Sequence, residues 1–248
     1  MRSSRRDFLV LAAAAAVLQG EDLPKRDMVT RSVRPEDLEM PLAGFSDYIT
    51  PVEHFFVRAH VYVPTVDVGQ WRLSVGGSVA TPLTLSMEDL KKLPAVELVS
   101  VLECAGNGRA FYQPPVPGLQ WGHGAVGNAR WRGVRLADVL KRAGPKASAR
   151  EILFDGADVP LGTMPDFQRS IPIEKALDPN TILAYEMNGV PLPINHGAPL
   201  RLRVETKLGV KMVKWIKSIE LVDDYRNVGA GEGGYREDVQ YYGTGAEI

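Results

Sequence analysis

Apolar and polar positions alternate along several short segments of the chain, and each of these segments predicts a β-strand. In "WRLSVGGSV", residues 71–79, Trp71, Leu73 and Val75 share one face before a Gly-Gly turn. In "APLRLRVE", residues 198–205, aliphatic side chains alternate with charged ones, which predicts a strand with one buried face and one solvent face. Apolar runs in residues 96–102 and in "EILFDGAD" predict further strands.

Helical periodicity is confined to short stretches. The segment "RLADVLKRAG" repeats apolar residues every three or four positions, which predicts a helix that ends at Gly144. In "SMEDLKKLP", Ser86 and Asp89 have the spacing of a capping box. In "IPIEKALDPN", Pro172 lies near the first turn of a third short helix. The segment "TILAYEMNGVPLP" predicts a strand that enters a hairpin turn at Asn188-Gly189.

Strands outnumber helices and do not alternate regularly with them, so the predicted fold class is α+β, with mixed β-sheets and short peripheral helices. Residues 51–224 are predicted to form one domain, since no repeat or low-complexity linker divides them. Residues 21–50 are rich in proline and charge and predict an extended lead-in over the surface. Residues 225–248 are rich in glycine and predict a weakly ordered C-terminal tail.

The first 20 residues have the pattern of an export signal. Three arginines precede an apolar stretch from Phe8 to Leu18, and "SRRDFL" resembles the twin-arginine signal. We therefore expect a periplasmic protein that is exported in the folded state. A stable membrane span is not expected, because the chain has no run of 18 or more apolar residues.

Composition argues against a disulfide-stabilised protein and against a nucleic-acid-binding protein. The 248 residues include a single cysteine, so no disulfide can form within the chain. The formal net charge is −1, and it is −3 without residues 1–20, which hold three arginines and one aspartate. A chain with this charge balance has no electrostatic footprint for nucleic acid, and none is expected as a partner.

The single cysteine lies in a segment that suits chemistry, "ECAGNGR". Gly106 and Gly108 permit backbone conformations or close approaches that a side chain would block, and Asn107 tolerates the left-handed region. Arg109 offers a planar set of donors for oxyanions and favours the thiolate form of Cys104. From these residues alone, a buried structural cysteine and a soft metal ligand both remain open.

Two more clusters are basic. In "FFVRAH", Arg58 and His60 share one face of an extended segment, an arrangement that also suits a solvated surface strand. The segments "INHGAPLRLR" and "GVKMVKWI" add four basic side chains beside glycines, namely His196, Arg201, Lys211 and Lys214. Such a cluster can hold a buried phosphate or can protect a sheet edge from aggregation. No Walker or G-x-G-x-x-G pattern opens a helix, which argues against an ordinary nucleotide site.

Seven segments in order, "FFVRAH", "ECAGNGR", "GLQWG", "NARWRGVRLADVL", "LAYEMNGVPLP", "NHGAPLRLRV" and "GVKMVKWI", resemble the sulfite oxidase family of molybdopterin-dependent oxidoreductases. The resemblance extends roughly from Pro51 to Leu221. It implies the sulfite-oxidase-type molybdopterin-binding fold and a molybdenum-molybdopterin cofactor. The implied reaction is oxidation of sulfite, or of a similar small oxyanion, to sulfate by oxygen-atom transfer.

The resemblance also implies residue roles. Cys104 would be the protein ligand of the metal. The residues on substrate-pocket positions are Arg58, Arg109, Trp121 and Tyr185. The residues on positions that hold the pterin and its phosphate are Phe56, His60, Asp158, His196, Arg201, Lys211 and Lys214. The chain departs from the family at Ala59, which replaces an asparagine, and at Gly108, which replaces an arginine.

Other functions stay open beside this one. The first alternative keeps the cofactor but reduces sulfoxides such as oxidised methionine. A second is a cysteine hydrolase that pairs Cys104 with His60 or His196, and a third is a cofactor-free binding protein on the same fold. Neither a haem-binding domain ahead of the core nor an immunoglobulin-like dimerisation domain after it is expected from the sequence. Electrons are therefore expected to leave to an external acceptor, a cytochrome.

Overall fold

The computed structural model describes residues 24–160, 162, 167–225 and 246–248. Within these residues, the strands in chain order are β1 (Val29–Val33), β2 (Glu36–Glu39), β3 (Leu73–Gly77), β4 (Leu83–Leu85), β5 (Ala95–Glu103), β6 (Val126–Arg135), β7 (Glu151–Gly156), β8 (Gln168–Pro172), β9 (Ile182–Met187), β10 (Val190–Pro191), β11 (Arg201–Arg203) and β12 (Ile216–Val222). The α-helices are α1 (Met87–Lys91), α2 (Leu136–Ala143) and α3 (Ile173–Ala176). Short 3-10 helices lie at Leu42–Phe45, Val52–His54, Arg109–Phe111, Ile194–His196 and Gly209–Lys211.

Two five-stranded sheets build the domain. In the first sheet the order is β10-β9-β6-β5, with β11 also paired to β9, and every pairing is antiparallel. In the second sheet the order is β4-β3-β12-β7-β8, and β12 runs parallel to β3 while its other neighbour is antiparallel. The α+β class with mixed sheets and short helices is confirmed.

The local signals at the helix ends and at the hairpin are also confirmed. The Ser86 hydroxyl accepts a hydrogen bond from the Asp89 N–H, and the Asp89 carboxylate accepts one from the Ser86 N–H. Gly144 ends α2 in the left-handed conformation, with φ of 67°. Asn188 and Gly189 join β9 to β10 with φ of 55° and 81°, the positive values that a tight hairpin turn needs.

The core consists of two apolar clusters. The larger cluster packs α2 against the sheets, and its stripe of Leu136, Val139, Leu140 and Ala143 is fully buried. The smaller cluster is aromatic, and its largest buried members are Phe55, Phe56, Trp121 and Trp131. This smaller cluster supplies apolar walls to the cavity described below.

The N-terminal segment is more than the extended surface lead-in that its composition predicts. β1 and β2 form an antiparallel hairpin, and the last three residues of β2 are buried. Proline and charge indicated exposure, but Asp37 and Glu39 are only 2% and 5% exposed because both carboxylates find hydrogen-bond donors inside the protein. The hairpin therefore belongs to the folded domain.

The prediction of a half-buried strand over residues 198–205 is wrong about its polar face. Arg201 and Arg203 of β11 are 5% and 0% exposed. The Arg203 guanidinium donates to the Ser100 hydroxyl at 2.7 Å and to the Val101 carbonyl at 3.0 Å, which satisfies donors that water would otherwise solvate. Both guanidinium groups also lie about 5 Å from the centre of the Trp131 ring, at 5.1 and 4.9 Å.

The predicted signal at residues 1–20 lies outside the described residues, as does most of the predicted C-terminal tail. In the part of the chain that the structure describes, no helix has the length and apolar character needed to cross a membrane.

Candidate active site

One cavity brings the three predicted clusters together. The cavity has a volume of about 930 Å³, measured out to its opening and including the solvent space there. The predicted site residues that line it are Phe56, Arg58, His60, Cys104, Arg109, Trp121, Asp158, His196, Arg201 and Lys214. These residues come from six separate stretches of the chain, so the cavity is a product of the whole fold.

Two predicted residues do not reach the cavity. Tyr185 packs in the larger apolar cluster, where the Lys91 ammonium lies 5.6 Å from the centre of its ring. Its neighbour Ala184 faces the aromatic cluster instead, because consecutive residues of a strand point to opposite faces. Lys211 is buried, but its ammonium donates to the Ser170 carbonyl at 3.1 Å, on β8. The structure thus separates both residues from the pocket that the resemblance implied.

The loop after β5 fixes the position of the thiol. The Cys104 N–H donates to the Ala125 carbonyl at 2.8 Å, and the Asn107 N–H donates to the Cys104 carbonyl at 2.9 Å. The sulfur itself accepts a hydrogen bond from the Gly106 N–H at 3.5 Å. Burial raises the pKa of the Cys104 thiol, while this N–H and the nearby arginines act in the opposite direction. In the protein alone the thiol is therefore neutral near pH 7.

The turn residues of this loop have separate roles. Gly108 takes the left-handed conformation, with φ of 78°, whereas Asn107 does not. The Asn107 side chain instead bridges the loop, since its amide donates to Glu103 at 3.0 Å and its carbonyl accepts from the Ala125 N–H at 3.0 Å. A side-chain bridge of this kind holds the thiol loop against the start of β6.

Arg109 lies in a slot formed by two glycines. A Cβ on Gly106 would lie 3.0 Å from the carbon of the guanidinium group, and a Cβ on Gly118 would collide with Nη1. Gly118 also has φ of 112°, a conformation that side chains disfavour. Arg109 Nη1 donates to the Leu119 carbonyl at 3.4 Å. The sequence prediction missed Gly118, because nothing near it in the sequence signals the distant guanidinium.

Arg58 connects the cavity to the N-terminal hairpin. Its Nη1 lies 3.2 Å from both carboxylate oxygens of Asp37 and also donates to the Ala59 carbonyl, while Nη2 lies 3.2 Å from His60 Nδ1. Burial and then the Arg58, Arg169 and Arg109 charges lower the pKa of His60 to about 3, which makes this cavity-lining imidazole neutral, although its side chain is exposed to solvent and the shift is smaller to that extent. The expected shared face of Arg58 and His60 is thus a direct contact.

Asp37 and Glu39 are site-supporting residues that the sequence prediction missed. Burial raises the pKa of Asp37, and the Arg58 charge opposes that change. In "EDLEMPL" the two acids alternate with Leu38 and Met40, a pattern that could have predicted a strand but gives no sign of buried carboxylates.

The basic cluster of His196, Arg201 and Lys214 surrounds Gly197. The Arg201 Nη1 donates to the His196 carbonyl at 2.8 Å, and the Lys214 ammonium donates to the Asn195 carbonyl at 2.8 Å. Gly197 has φ of 110°, and a Cβ there would lie 3.0 Å from Lys214 Cβ and 3.1 Å from Arg201 Cβ. The glycine is therefore what allows the two cationic side chains to approach so closely.

Burial changes the ionisation of this cluster. It lowers the pKa of Arg201 to about 9, so the guanidinium still carries its charge at neutral pH. Burial, followed by the Arg201 charge, lowers the pKa of Lys214 well below its ordinary value, and Asp158 acts in the opposite direction. Among the described residues, the buried Nε of Arg201 has no hydrogen-bond partner.

The cavity therefore suits an anionic guest. Of the described lining residues, Asp158 alone is acidic, whereas three arginines and a lysine line the same space. A buried cation is costly unless an anion or acceptor matches it, and a phosphate supplies several acceptor oxygens at once. Within the described ranges, no group of three or more His, Cys, Asp and Glu side chains could together hold a metal ion.

Comparison with known proteins is consistent with this geometry. Residues 60–228 match the family model described as an oxidoreductase molybdopterin binding domain. The chain is also similar to the crystal structure of the sulfane dehydrogenase SoxCD from Paracoccus pantotrophus. That match has a TM-score of 0.72 and 28% sequence identity, and it covers 89% of this chain and 54% of the other.

Curated relatives include two kinds of enzyme. The mitochondrial sulfite oxidase of Rattus norvegicus is 42% identical over 205 residues, which are 78% of this chain and 37% of the relative. The nitrate reductase [NADH] 1 of Oryza sativa subsp. japonica is 41% identical over 197 residues, which are 75% of this chain and 21% of the relative. The chain thus spans well under half the length of these relatives.

Proposed function

The chain belongs to the family of oxidoreductase molybdopterin binding domains, and from that premise we propose that it oxidises sulfite, or a similar small oxyanion, to sulfate. The observation that carries the proposal is the shared cavity of Cys104, Arg58 and Arg109. A single thiol can ligate a soft cofactor metal, and two guanidinium groups beside it can bind an oxyanion.

The residues of the cavity fit molybdopterin. Arg201, with its unpartnered Nε, together with Lys214 and the neutral His196, would hold the pterin and its phosphate. Cys104 would ligate the metal, a step that deprotonates the thiol despite its raised pKa. When bound, the cofactor supplies two-electron oxygen-atom-transfer chemistry.

The residues of this chain then bind and orient the substrate. A small dianion leaves water only if its charge is matched, and Arg58 and Arg109 supply fixed donors for that purpose. Asp37 fixes one guanidinium and the glycine slot fixes the other. Trp121, which is 1% exposed, forms an apolar wall that limits the access of water.

The overall reaction balances without a further reagent except an electron acceptor. Sulfite and water give sulfate, two protons and two electrons. The two electrons leave to an external carrier, for which we propose a cytochrome, as the sequence resemblance implies.

The rival functions receive less support from the geometry. A neutral sulfoxide needs no pair of guanidinium groups, so the arginines favour an oxyanion over a sulfoxide. A cysteine hydrolase needs a base on the thiol. Among the described residues, however, His60 Nδ1 contacts Arg58, His196 Nε2 contacts Lys25, and the hydrogen bond of the sulfur comes from the Gly106 N–H.

Periplasmic location is part of the proposal and rests on the sequence alone. The support for it is the twin-arginine pattern within residues 1–20. The test is fractionation of a host that expresses the chain, beside a variant with Arg5 and Arg6 changed to lysine. Equal amounts of both proteins in the periplasm would contradict this part of the proposal.

The main experiment purifies the full chain from a host supplied with molybdate. We expect about one molybdenum and one pterin per chain, and reduction of an added cytochrome or ferricyanide that depends on sulfite. Nitrate and methionine sulfoxide, each with a reduced viologen donor, complete the substrate panel. Fast sulfoxide or nitrate reduction without sulfite oxidation would replace the proposed substrate, and protein free of molybdenum and pterin would overturn the proposal.

A further inference from the structure

Lys25, in the segment before β1, contacts the cavity-lining His196 from outside the residues that the family model matches. Its ammonium contacts three acceptors, the Val52 carbonyl at 2.7 Å, the Phe55 carbonyl at 2.9 Å and His196 Nε2 at 2.6 Å. A lysine ammonium has three N–H donors, and these three acceptors together fix its position beside the imidazole. The side chain is half-buried, and its position is therefore well defined by its partners.

The contact with Lys25 has a consequence for the protons of His196. The imidazole is 2% exposed, and its pKa is well below the ordinary value because of burial and then the charges of Lys25, Lys214 and Arg201. A neutral imidazole has one donor and one acceptor nitrogen. Since Nε2 accepts from the ammonium, the proton must lie on Nδ1.

The protonated nitrogen of His196 is available to a guest. His196 lines the cavity, and among the described residues its Nδ1 has no hydrogen-bond partner. The Phe55 ring packs edge to face against the imidazole, with 5.5 Å between the ring centres, and restricts its rotation. The donor that His196 offers is thus fixed both in identity and in direction.

We propose that Lys25 is a positioning residue for the cofactor site, which holds His196 in the Nδ1–H tautomer so that it donates a hydrogen bond to the bound anionic cofactor. The proposal rests on the proposed function for the identity of the guest, but the tautomer itself is a property of the protein alone. It also means that the cavity is incomplete without the segment that precedes β1.

The first test reads the tautomer directly. The full chain is labelled with ¹⁵N at its four histidines, and two-bond ¹H–¹⁵N correlation spectra distinguish protonated from unprotonated ring nitrogens. A His196→Gln variant assigns the signals. We expect His196 as the Nδ1–H tautomer in the unmodified chain, and a change toward the Nε2–H tautomer or a mixture in Lys25→Met. Arg26→Met, which removes an exposed cation one position along, is the matched control and leaves the tautomer unchanged.

The second test measures retention of the cofactor by the loaded protein. In Lys25→Met the release of pterin and molybdenum should become about two- to tenfold faster, the range expected for one hydrogen bond. Lys25→Arg, which keeps the cation and the donors, should restore at least part of the retention. Circular dichroism and the melting temperature confirm that each variant is folded before the rates are compared.

The outcomes separate this proposal from the proposed function. An Nε2–H tautomer in the unmodified chain, or a Lys25→Met variant with unchanged tautomer and unchanged release, overturns the role of Lys25 whatever the cofactor content. Protein that lacks molybdenum and pterin but shows the tautomer change upholds the positioning of His196 and overturns the proposed function.

Discussion

One guanidinium nitrogen of Arg58 lies 3.2 Å from both carboxylate oxygens of Asp37, and so joins the cavity to the N-terminal hairpin. The same carboxylate accepts a hydrogen bond from the Ala59 N–H at 2.9 Å, so it holds both the side chain and the backbone of this segment. Asp37 is 2% exposed, which places the ion pair out of bulk water on its carboxylate side. The orientation of a substrate-facing arginine therefore depends on a strand that lacks any recognisable motif.

Asp37→Asn should weaken catalysis more than it weakens folding. The amide keeps the shape but loses the charge-assisted hydrogen bonds, which contribute about 1.5–3 kcal/mol each to positioning. We expect kcat/KM for sulfite to fall about tenfold or more, with cofactor content unchanged. Asp47→Asn, at an exposed carboxylate, is the control. Unchanged sulfite kinetics in Asp37→Asn would show that Arg58 does not need this anchor.

Arg109→Gln should mainly raise KM for sulfite, about tenfold or more, because a charged donor to the oxyanion is lost. Gly118→Ala should imitate this effect, since its Cβ would displace the guanidinium from its slot. Gly189→Ala separates collision from backbone strain, because Gly189 also has a positive φ but has open space around it. Steady-state kinetics across the three variants provide the measurement, and normal KM in Gly118→Ala would contradict the slot.

Cys104→Ser should abolish turnover with sulfite while most of the pterin stays bound. Serine offers a hard oxygen in place of a soft sulfur, whereas the basic residues that would hold the phosphate are unaffected. Pterin fluorescence after denaturation and metal analysis measure retention, and stopped assays measure turnover. Residual activity near that of the unmodified chain would exclude a role for the sulfur as metal ligand.

Glu39→Gln should destabilise the fold by about 1–3 kcal/mol at pH 7, since three donors lose a charged acceptor. These donors are the N–H groups of Gly122 and Gly124, both at 2.9 Å, and the Arg31 side chain at 2.5 Å. Although burial acts to raise it, these hydrogen bonds leave the pKa of Glu39 lowered. Its stabilisation is therefore present above the unfolded pKa near 4.5 and is lost as the pH falls through the folded value.

Urea unfolding of Glu39→Gln and the unmodified chain at pH 7 and at pH 3.5 measures this difference. Glu97→Gln, which breaks an exposed ion pair with Arg130, serves as the control and should cost less than about 1 kcal/mol. If the two variants were equally stable at pH 7, the contacts of Glu39 would not contribute as described.

The two cavity histidines should make the fold sensitive to mild acid. The pKa of His196 is well below its ordinary value of 6.5, so the unfolded chain binds a proton below pH 6.5 that the folded protein does not. The free energy of unfolding then decreases as the pH falls, by about 1.4 kcal/mol per pH unit for one such group. His60, with its pKa lowered to about 3, acts in the same direction but contributes less, because its side chain is exposed and solvent screens the charges around it.

His196→Gln should therefore make the pH dependence shallower by about one proton between pH 6.0 and 4.5. His123→Gln, at an exposed side chain stacked on Phe111, is the matched histidine control. Urea unfolding at several pH values, with equal cofactor content in all samples, gives the slopes. An unaltered slope in His196→Gln would mean that His196 is protonated in the folded protein.

Local patterns predicted most of the elements, and the family resemblance named ten residues that line the cavity. Strand alternation, the capping box at Ser86 and the Asn188-Gly189 turn depend on neighbours in the sequence, and the structure shows all three. The predicted position of Tyr185 in the pocket differs from its position in the structure. The pairing of β9 sets the face on which this side chain lies, and that pairing includes an irregular register with β6 between Arg132 and Gly133. A motif transfers residue types, but it does not transfer the face on which each residue lies.

The N-terminal segment was misjudged for a different reason. Lys25, Asp37 and Glu39 owe their burial to partners that are far away in the sequence, such as His196, Arg58 and Gly122. Single-sequence composition records charge and proline but not distant partners, so it indicated exposure. Only the tertiary pairing shows that these residues support the cavity.

The only cysteine of the chain lies in the wall of the cavity, so the reactivity of its thiol can report whether the cavity is occupied. A thiol-reactive dye has no other sulfhydryl to modify, so labelling reports on Cys104 alone, and at a pH high enough to ionise this thiol it should slow when a guest fills the pocket. Titration of the free thiol, in a plate reader and without any substrate, would therefore give the fraction of chains that carry a guest.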